Sequence, residues 1–476
     1  MARTTWDAYM VVVGGFVFYM FQLGTHKALG VFVPYFISGL DMTAYQVGIS
    51  CGIGAGVKFL LGPIWAAVTT LADSRILTFS GGVLTGLGFL WVGFSTTSVD
   101  LSLALLITGI GLGLPLVAVQ NIVRDYFADK NYNLAVGLIF VGSAVGMTLF
   151  PPVTEFFIDM YGWRSASILM GASCFNISVG AALFKPLPES EATHLSRVRA
   201  AILKHLIGVR ATLLKPSTGD RAALLKPLPC LPDEAPTKTS HDSCVLGKCK
   251  LEKCKLEKCK LGKCKLDKLN NTLAERCRNF FGFSIIVEEP IICIYFVAFI
   301  LWGIAYTGWM LFLFSYAISL GYTPRFASLL SAIGGLGTLT GRVMTTFLCD
   351  TANVSAQMQF AVLSAVSCLA LMLHPIASVT WALIAVSFFA GIGIGTPPAA
   401  MVLITKDISS TESYSSALGL LFMFQGMGLF AGGPVTGLIY DITHGFNAAF
   451  ISLAIAELTA AILALIKTPE VVKLLQ

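Results

Sequence analysis

The sequence predicts an all-α membrane protein: twelve transmembrane helices in two groups of six, separated by one long polar loop. Three observations predict it. Of 476 residues, 55% are hydrophobic and only 12% are charged, with a mean hydropathy of +0.78. Soluble domains carry about 25% charged residues, so an ordinary globular enzyme is excluded. Twelve windows reach the roughly 20 apolar residues that a bilayer crossing needs, and the one long polar stretch lies between the sixth and the seventh.

The first window, 10–36, is too long for a signal-peptide core of about 7–15 residues and reads as a span that also directs insertion. Windows 45–71, 76–96, 101–125, 133–157 and 164–184 complete the first half. Windows 290–319, 326–347, 357–377, 380–405, 414–440 and 447–467 form the second. Glycines cluster within these windows: Gly52, Gly54 and Gly56; Gly109, Gly111 and Gly113; Gly391, Gly393 and Gly395; Gly426, Gly428, Gly432 and Gly433. Small residues let helix backbones approach closely in a membrane, so the clusters support a packed helical bundle. The organisation is therefore a six-helix half over 1–184, a linker over 185–288 and a second six-helix half over 289–476.

The net charge of +6 is not spread evenly, since 20 of the 32 Lys and Arg lie between Lys185 and Arg278. With both termini cytoplasmic, the cytoplasmic segments also hold Arg3, Arg75, Arg124, Lys130, Lys406, Lys467 and Lys473, against Arg164 and Arg325 outside. The excess of Lys and Arg on cytoplasmic loops sets this orientation. A basic loop beside membrane spans is a topology signal or an attraction to anionic lipid; nucleic acid is not the expected partner.

Three cations remain, and all three fall inside spans: Lys27, Lys58 and Arg342. A cation at the centre of a bilayer helix costs roughly 2.5–3.5 kcal/mol on insertion scales. Such charges face a bundle interior or a water-filled cavity, and their natural ligand is an anion. Arg342 offers a planar fork that matches a carboxylate bidentately. A structural ion pair, for instance with Asp350 two turns on, is its alternative reading. Lys27 is late enough in its span to snorkel to the interface instead. His26 titrates near neutrality, but neighbours on a helix point about 100° apart, so it and Lys27 cannot both face one cavity squarely. Lys58 either lines the cavity or pairs with a buried carboxylate, Glu155 and Glu457 being the plainest partners. Glu155 and Asp159 are expected to be solvated at the outer end of the fifth span. Glu457 is expected to be a packing carboxyl. Tyr306, Trp309, Phe314, Phe422 and Phe424 are candidates for an apolar wall. The sequence contains no catalytic dyad, nucleophile motif or phosphate loop, and neither a metal nor a cofactor is implied.

Four stretches resemble the monocarboxylate transporters, solute carrier family 16 of the major facilitator superfamily. The first runs from Trp6-Asp7 to Gly24-Thr25-His26-Lys27-Ala28-Leu29-Gly30-Val31-Phe32. The second links Tyr126-Phe127, Leu134-Ala135-Val136-Gly137-Leu138, Gly142-Ser143, Gly146 and Gly162-Trp163-Arg164. The third is Gly341-Arg342 with Asp350, and the fourth runs from Ser415-Ser416-Ala417-Leu418-Gly419-Leu420 to Gly432-Gly433-Pro434, Gly437 and Tyr440-Asp441. The resemblance implies a major facilitator fold and transport of a small organic anion across the plasma membrane, with protons as a co-substrate. It implies Arg342 as the carboxylate anchor, helped by Lys27 and, if it lines the cavity, Lys58. Asp7, His26 and Asp350 are the gating or coupling candidates. A single-span immunoglobulin-like ancillary glycoprotein enters as a partner on the same ground. One departure matters. The aspartate that proton-coupled members place one turn before the helix 8 arginine is Thr338 here, which cannot titrate. That favours proton-independent carriage of a larger or zwitterionic carboxylate, such as an aromatic amino acid or a hormone-like acid.

Residues 248–268 repeat Lys-Cys-Lys-Leu with cysteines at 249, 254, 259 and 264. Zinc motifs use tighter pairs, so the repeat reads as a disordered basic linker near anionic lipid. A non-transporting metabolite sensor that signals through this linker is the reading from a different class.

Overall fold

The computed structural model describes residues 5–127, 132–184, 292–351, 354–377, 379–395, 397–408 and 414–466. The Lys-Cys repeat and the rest of the 185–288 linker lie outside the described residues, as does the side chain of Asp350. Every described element is helical. The first half comprises α1 (Thr5–Gly39), α2 (Ala44–Leu60), α3 (Gly62–Leu71), α4 (Ser74–Phe94), α5 (Ser98–Phe127), α6 (Tyr132–Cys174) and α7 (Asn176–Ala182). The second comprises α8 (Ile292–Ser319), α9 (Pro324–Thr351), α10 (Ala356–Leu373), α11 (Thr380–Gly395), α12 (Pro397–Ile408), α13 (Tyr414–Thr443) and α14 (Phe446–Leu465).

These elements carry the twelve expected spans. Among the described residues, 9 helices are long and apolar enough to cross a membrane on their own. The pair α2–α3, bent by 46° where Gly62-Pro63 follows Leu61, forms one more span. The long α6 divides at Gly162, whose φ of +77° is a left-handed turn that favours glycine. The amphipathic α9, which carries Arg342, completes the set.

The two halves meet chiefly where α2 lies on α13, α6 on α9 and α1 on α8, with α3 also against α13. Glycine makes the first of these close. A Cβ on Gly48 would run into the Gly433 carbonyl, and one on Gly433 into the Gly48 carbonyl. A side chain on either face would force the backbones apart.

At the end of the bundle opposite the termini, two polar contacts tie the halves together. The N-terminus of α2 is capped by Thr43, in a capping box with Gln46. The Asp441 carboxylate, from the end of α13, also accepts the Ala44 and Tyr45 N–H groups at 3.2 and 2.8 Å. An anion at a helix N-terminus satisfies donors that no intrahelical carbonyl reaches. At the α6–α9 crossing, Arg325 Nη2 on α9 donates to Asp159 Oδ2 on α6 at 2.9 Å.

Candidate functional site

Below that latched end, a cavity lies between the halves. The first half lines it with Tyr19, Gln22, Leu23, Phe59, Leu116, Gln120 and Phe140; the second with Trp302, Tyr306, Arg342, Pro398, Val402, Phe422, Gln425 and Leu429. A smaller cavity, sharing Gln120 and Phe422, continues along Asn121, Arg124 and Tyr132 toward the end that bears the termini.

Arg342 is the charge in the central cavity. Its guanidinium spans both halves: Nε donates to Gly395 O at 3.0 Å, and Nη1 donates to Phe140 O at 2.8 Å and to Ser143 Oγ. These three acceptors are neutral, and they orient the fork. The Phe140 ring centroid stands 5.8 Å from Cζ. Three side chains lining the cavity carry buried polar atoms with no hydrogen-bond partner among the described residues: Gln22 Nε2, Tyr306 Oη and Gln425 Oε1. Buried polar groups are normally satisfied, so these atoms mark a space that receives a polar ligand or water.

The other predicted residues are distributed around this centre. Lys27 is 1% exposed, so it does not snorkel; its ammonium stands 3.7 Å from the Trp309 ring centroid and makes no hydrogen bond. That arrangement is a cation–π contact in a desolvated setting. His26, next to it, turns to a separate, smaller cavity inside the first half. Lys58 lines that smaller cavity and not the one around Arg342. Neither lysine carries an ion pair among the described residues.

Neither carboxylate offered as a partner for Lys58 lines its cavity. Glu155 is expected to be solvated but is buried, because Tyr35 covers it and donates to its Oε2 at 3.4 Å. Glu457 is fully buried on α14 and faces Ser364 and Ser367 of α10. Asp159 is half-exposed, as expected, but joins Arg325. Asp7 sits half-buried in the first turn of α1, and Asp350 lies on α9 eight residues past Arg342.

Of the expected apolar wall, Tyr306 and Phe422 line the cavity. Trp309 lies against Lys27, Phe424 stacks on Phe296 at 4.3 Å, and Phe314 is buried away from the cavity. Sequence reasoning passed over Tyr19, Phe140 and Trp302, and also Gln22, Gln120 and Gln425. The glutamines carried a usable signal, since polar side chains inside a span face the bundle interior for the same reason that charges do. Gln120 Nε2 donates to Tyr19 Oη at 3.0 Å, and Trp302 Nε1 to Ile394 O at 3.1 Å.

Comparison with known proteins agrees with this architecture. The profile of the Major Facilitator Superfamily matches residues 11–375 and 358–475. Monocarboxylate transporter 13 of Rattus norvegicus is 23% identical over 446 residues, covering 93% of this chain and 85% of its own. Monocarboxylate transporter 2 of Homo sapiens is 22% identical over 463 residues, covering 96% and 84%. Monocarboxylate transporter 1 of Bos taurus reaches 29% over 184 residues, 38% of this chain and 36% of its own. Similarity to monocarboxylate transporters thus runs through both halves, and the chain belongs to the Major Facilitator Superfamily, as a multi-pass membrane transporter and not an enzyme.

Proposed function

We propose that the protein carries a small monocarboxylate or related organic anion across the plasma membrane by alternating access of the central cavity. One observation carries this reading. Arg342 presents an oriented guanidinium in a cavity that both halves wall with aromatic and amide side chains. The carboxylate pairs with Arg342, and the aromatic rings of Tyr19, Trp302, Tyr306 and Phe422 take the apolar remainder. Lys27 adds positive potential beyond the cavity along α1. The Lys and Arg count supports cytoplasmic termini; in that orientation the latched end faces outside and the paired cavities lead inward.

A second reading, proton-independent movement of a larger or zwitterionic carboxylate, has its own observation. Thr338 is fully buried, and its hydroxyl is shared between the Gly334 and Gly391 carbonyls, each at 3.1 Å. It packs α9 on α11 and handles no proton. The test is uptake of labelled lactate and pyruvate at pH 6 and pH 7.5, beside Arg342→Ala, with surface expression measured. Uptake that rises at pH 6 and vanishes in the variant supports a proton-coupled monocarboxylate carrier. Surface protein without uptake at either pH, with or without a co-expressed immunoglobulin-like partner, sinks that reading and leaves larger cargo.

A further inference from the structure

The cavity inside the first half is a site in its own right. All of its lining residues are buried, and they come from α1, α2, α4 and α5 alone. Lys58 reaches it from α2 and His26 from α1. Lys58 is 1% exposed and its ammonium makes neither a hydrogen bond nor an ion pair among the described residues. His26 is 3% exposed, with both ring nitrogens unpartnered. The charged neighbours of His26 are Lys58 and Lys27, both cations. A desolvated charge without a compensating partner is among the costliest features a protein can bury, and among the described residues no carboxylate lines this cavity to offset it.

We propose that this cavity binds a small monovalent inorganic anion of the halide class, chloride-sized, held by Lys58 Nζ and an N–H of His26. The chemistry of the walls selects the ligand. The Thr25 and Thr108 hydroxyls line the cavity but donate to the Phe21 and Ala104 carbonyls, at 2.7 and 3.0 Å. Leu29, Phe89, Leu105 and Leu112 add only carbon. The imidazole and the ammonium are therefore the available donors. A carboxylate offers about four lone-pair sites, and a sulfate or phosphate more, so two donating groups would leave acceptors stranded in an apolar wall. A monoatomic anion has no such directional demand. It neutralises Lys58 in place, and it sits one ring from the transport cavity, since His26 and Tyr306 have centroids 6.0 Å apart.

The test uses the full-length chain, purified in gluconate and reconstituted in nanodiscs. Radiolabelled chloride binding and the melting temperature are followed against chloride, with bromide as competitor. Wild type should bind one chloride per chain, displaced by bromide. At ten times Kd its melting temperature should rise by about 2 °C. Lys58→Met should lose both responses, while Arg342→Ala, altered only in the transport cavity, should keep both. His26→Phe, which preserves a ring of similar size, should weaken chloride binding at least fivefold and keeps the test open if Lys58→Met fails to fold. Absence of saturable chloride binding to wild type overturns the proposal. So does binding lost in Arg342→Ala but kept in Lys58→Met, and so does displacement of chloride by lactate in direct competition. Failure of lactate uptake, by contrast, would leave chloride binding untouched, so the two readings fail separately.

Discussion

Removing the Asp441 carboxylate should unlatch the end of the transporter that the proposed orientation turns outward. In the structure that carboxylate, at the end of α13, accepts the first two free N–H groups of α2 and so joins the two halves directly. Two such bonds, part-buried at Ala44 and exposed at Tyr45, are together worth about 1–3 kcal/mol. At 1.4 kcal/mol per tenfold, Asp441→Ala should raise the population open to the outside by about 5- to 150-fold. Arg325→Ala breaks the contact to Asp159 at the α6–α9 crossing, but Arg325 is 82% exposed, solvent screens the pair, and the effect should be smaller. The assay is the rate at which a cysteine at Leu23, on the cavity wall, reacts with an impermeant thiol reagent applied outside. The expected order is Asp441→Ala fastest, Asp441→Asn between, Arg325→Ala next and the unaltered latch slowest. An unchanged rate in Asp441→Ala, or a larger gain in Arg325→Ala, would refute the assignment of the helix cap as the main outer tie.

Other outcomes follow from the same geometry. Gly433→Ala puts a methyl against the Gly48 carbonyl; overpacking of about 1–3 kcal/mol should speed labelling of the same reporter cysteine, and a slower rate would contradict it. Gln425→Leu removes an unpartnered acceptor from the cavity wall, so KM for the transported anion should change at normal surface expression; an unchanged KM would take Gln425 out of the site. Thr338→Val forfeits a shared hydrogen bond worth about 1 kcal/mol and should lower the melting temperature slightly while leaving the pH profile of uptake unaltered. Deletion of 245–268 should preserve flux in a transporter; a lost signal with no flux to begin with would favour the sensor reading.

Much of this molecule was legible along the chain. Hydropathy is a one-dimensional property, and it located twelve spans, including α9, whose amphipathic face lowers its apolar average. The cost of an intramembrane charge singled out Arg342, and burial of Lys27 and Lys58 follows from the same rule. The glycine clusters foretold close helix approach, and Gly48 with Gly433 makes one such crossing between the halves.

What the chain alone left open was direction. Whether Lys58 faces the central cavity or its own pocket depends on the rotation of α2 against α1, α4 and α5, and hydropathy cannot register a rotation inside an apolar bundle. Glu155 was expected in solvent because it lies near a helix end, yet the tertiary packing lays Tyr35 over it. Asp441 and the N–H of Tyr45 are 396 residues apart in sequence, and their meeting exists only once α13 crosses α2. Composition and periodicity thus determined that the chain crosses a membrane twelve times and holds three cations there. Packing decided which cation meets the central cavity and which stands apart, because in a low-dielectric interior a charge finds its role through the few groups it touches.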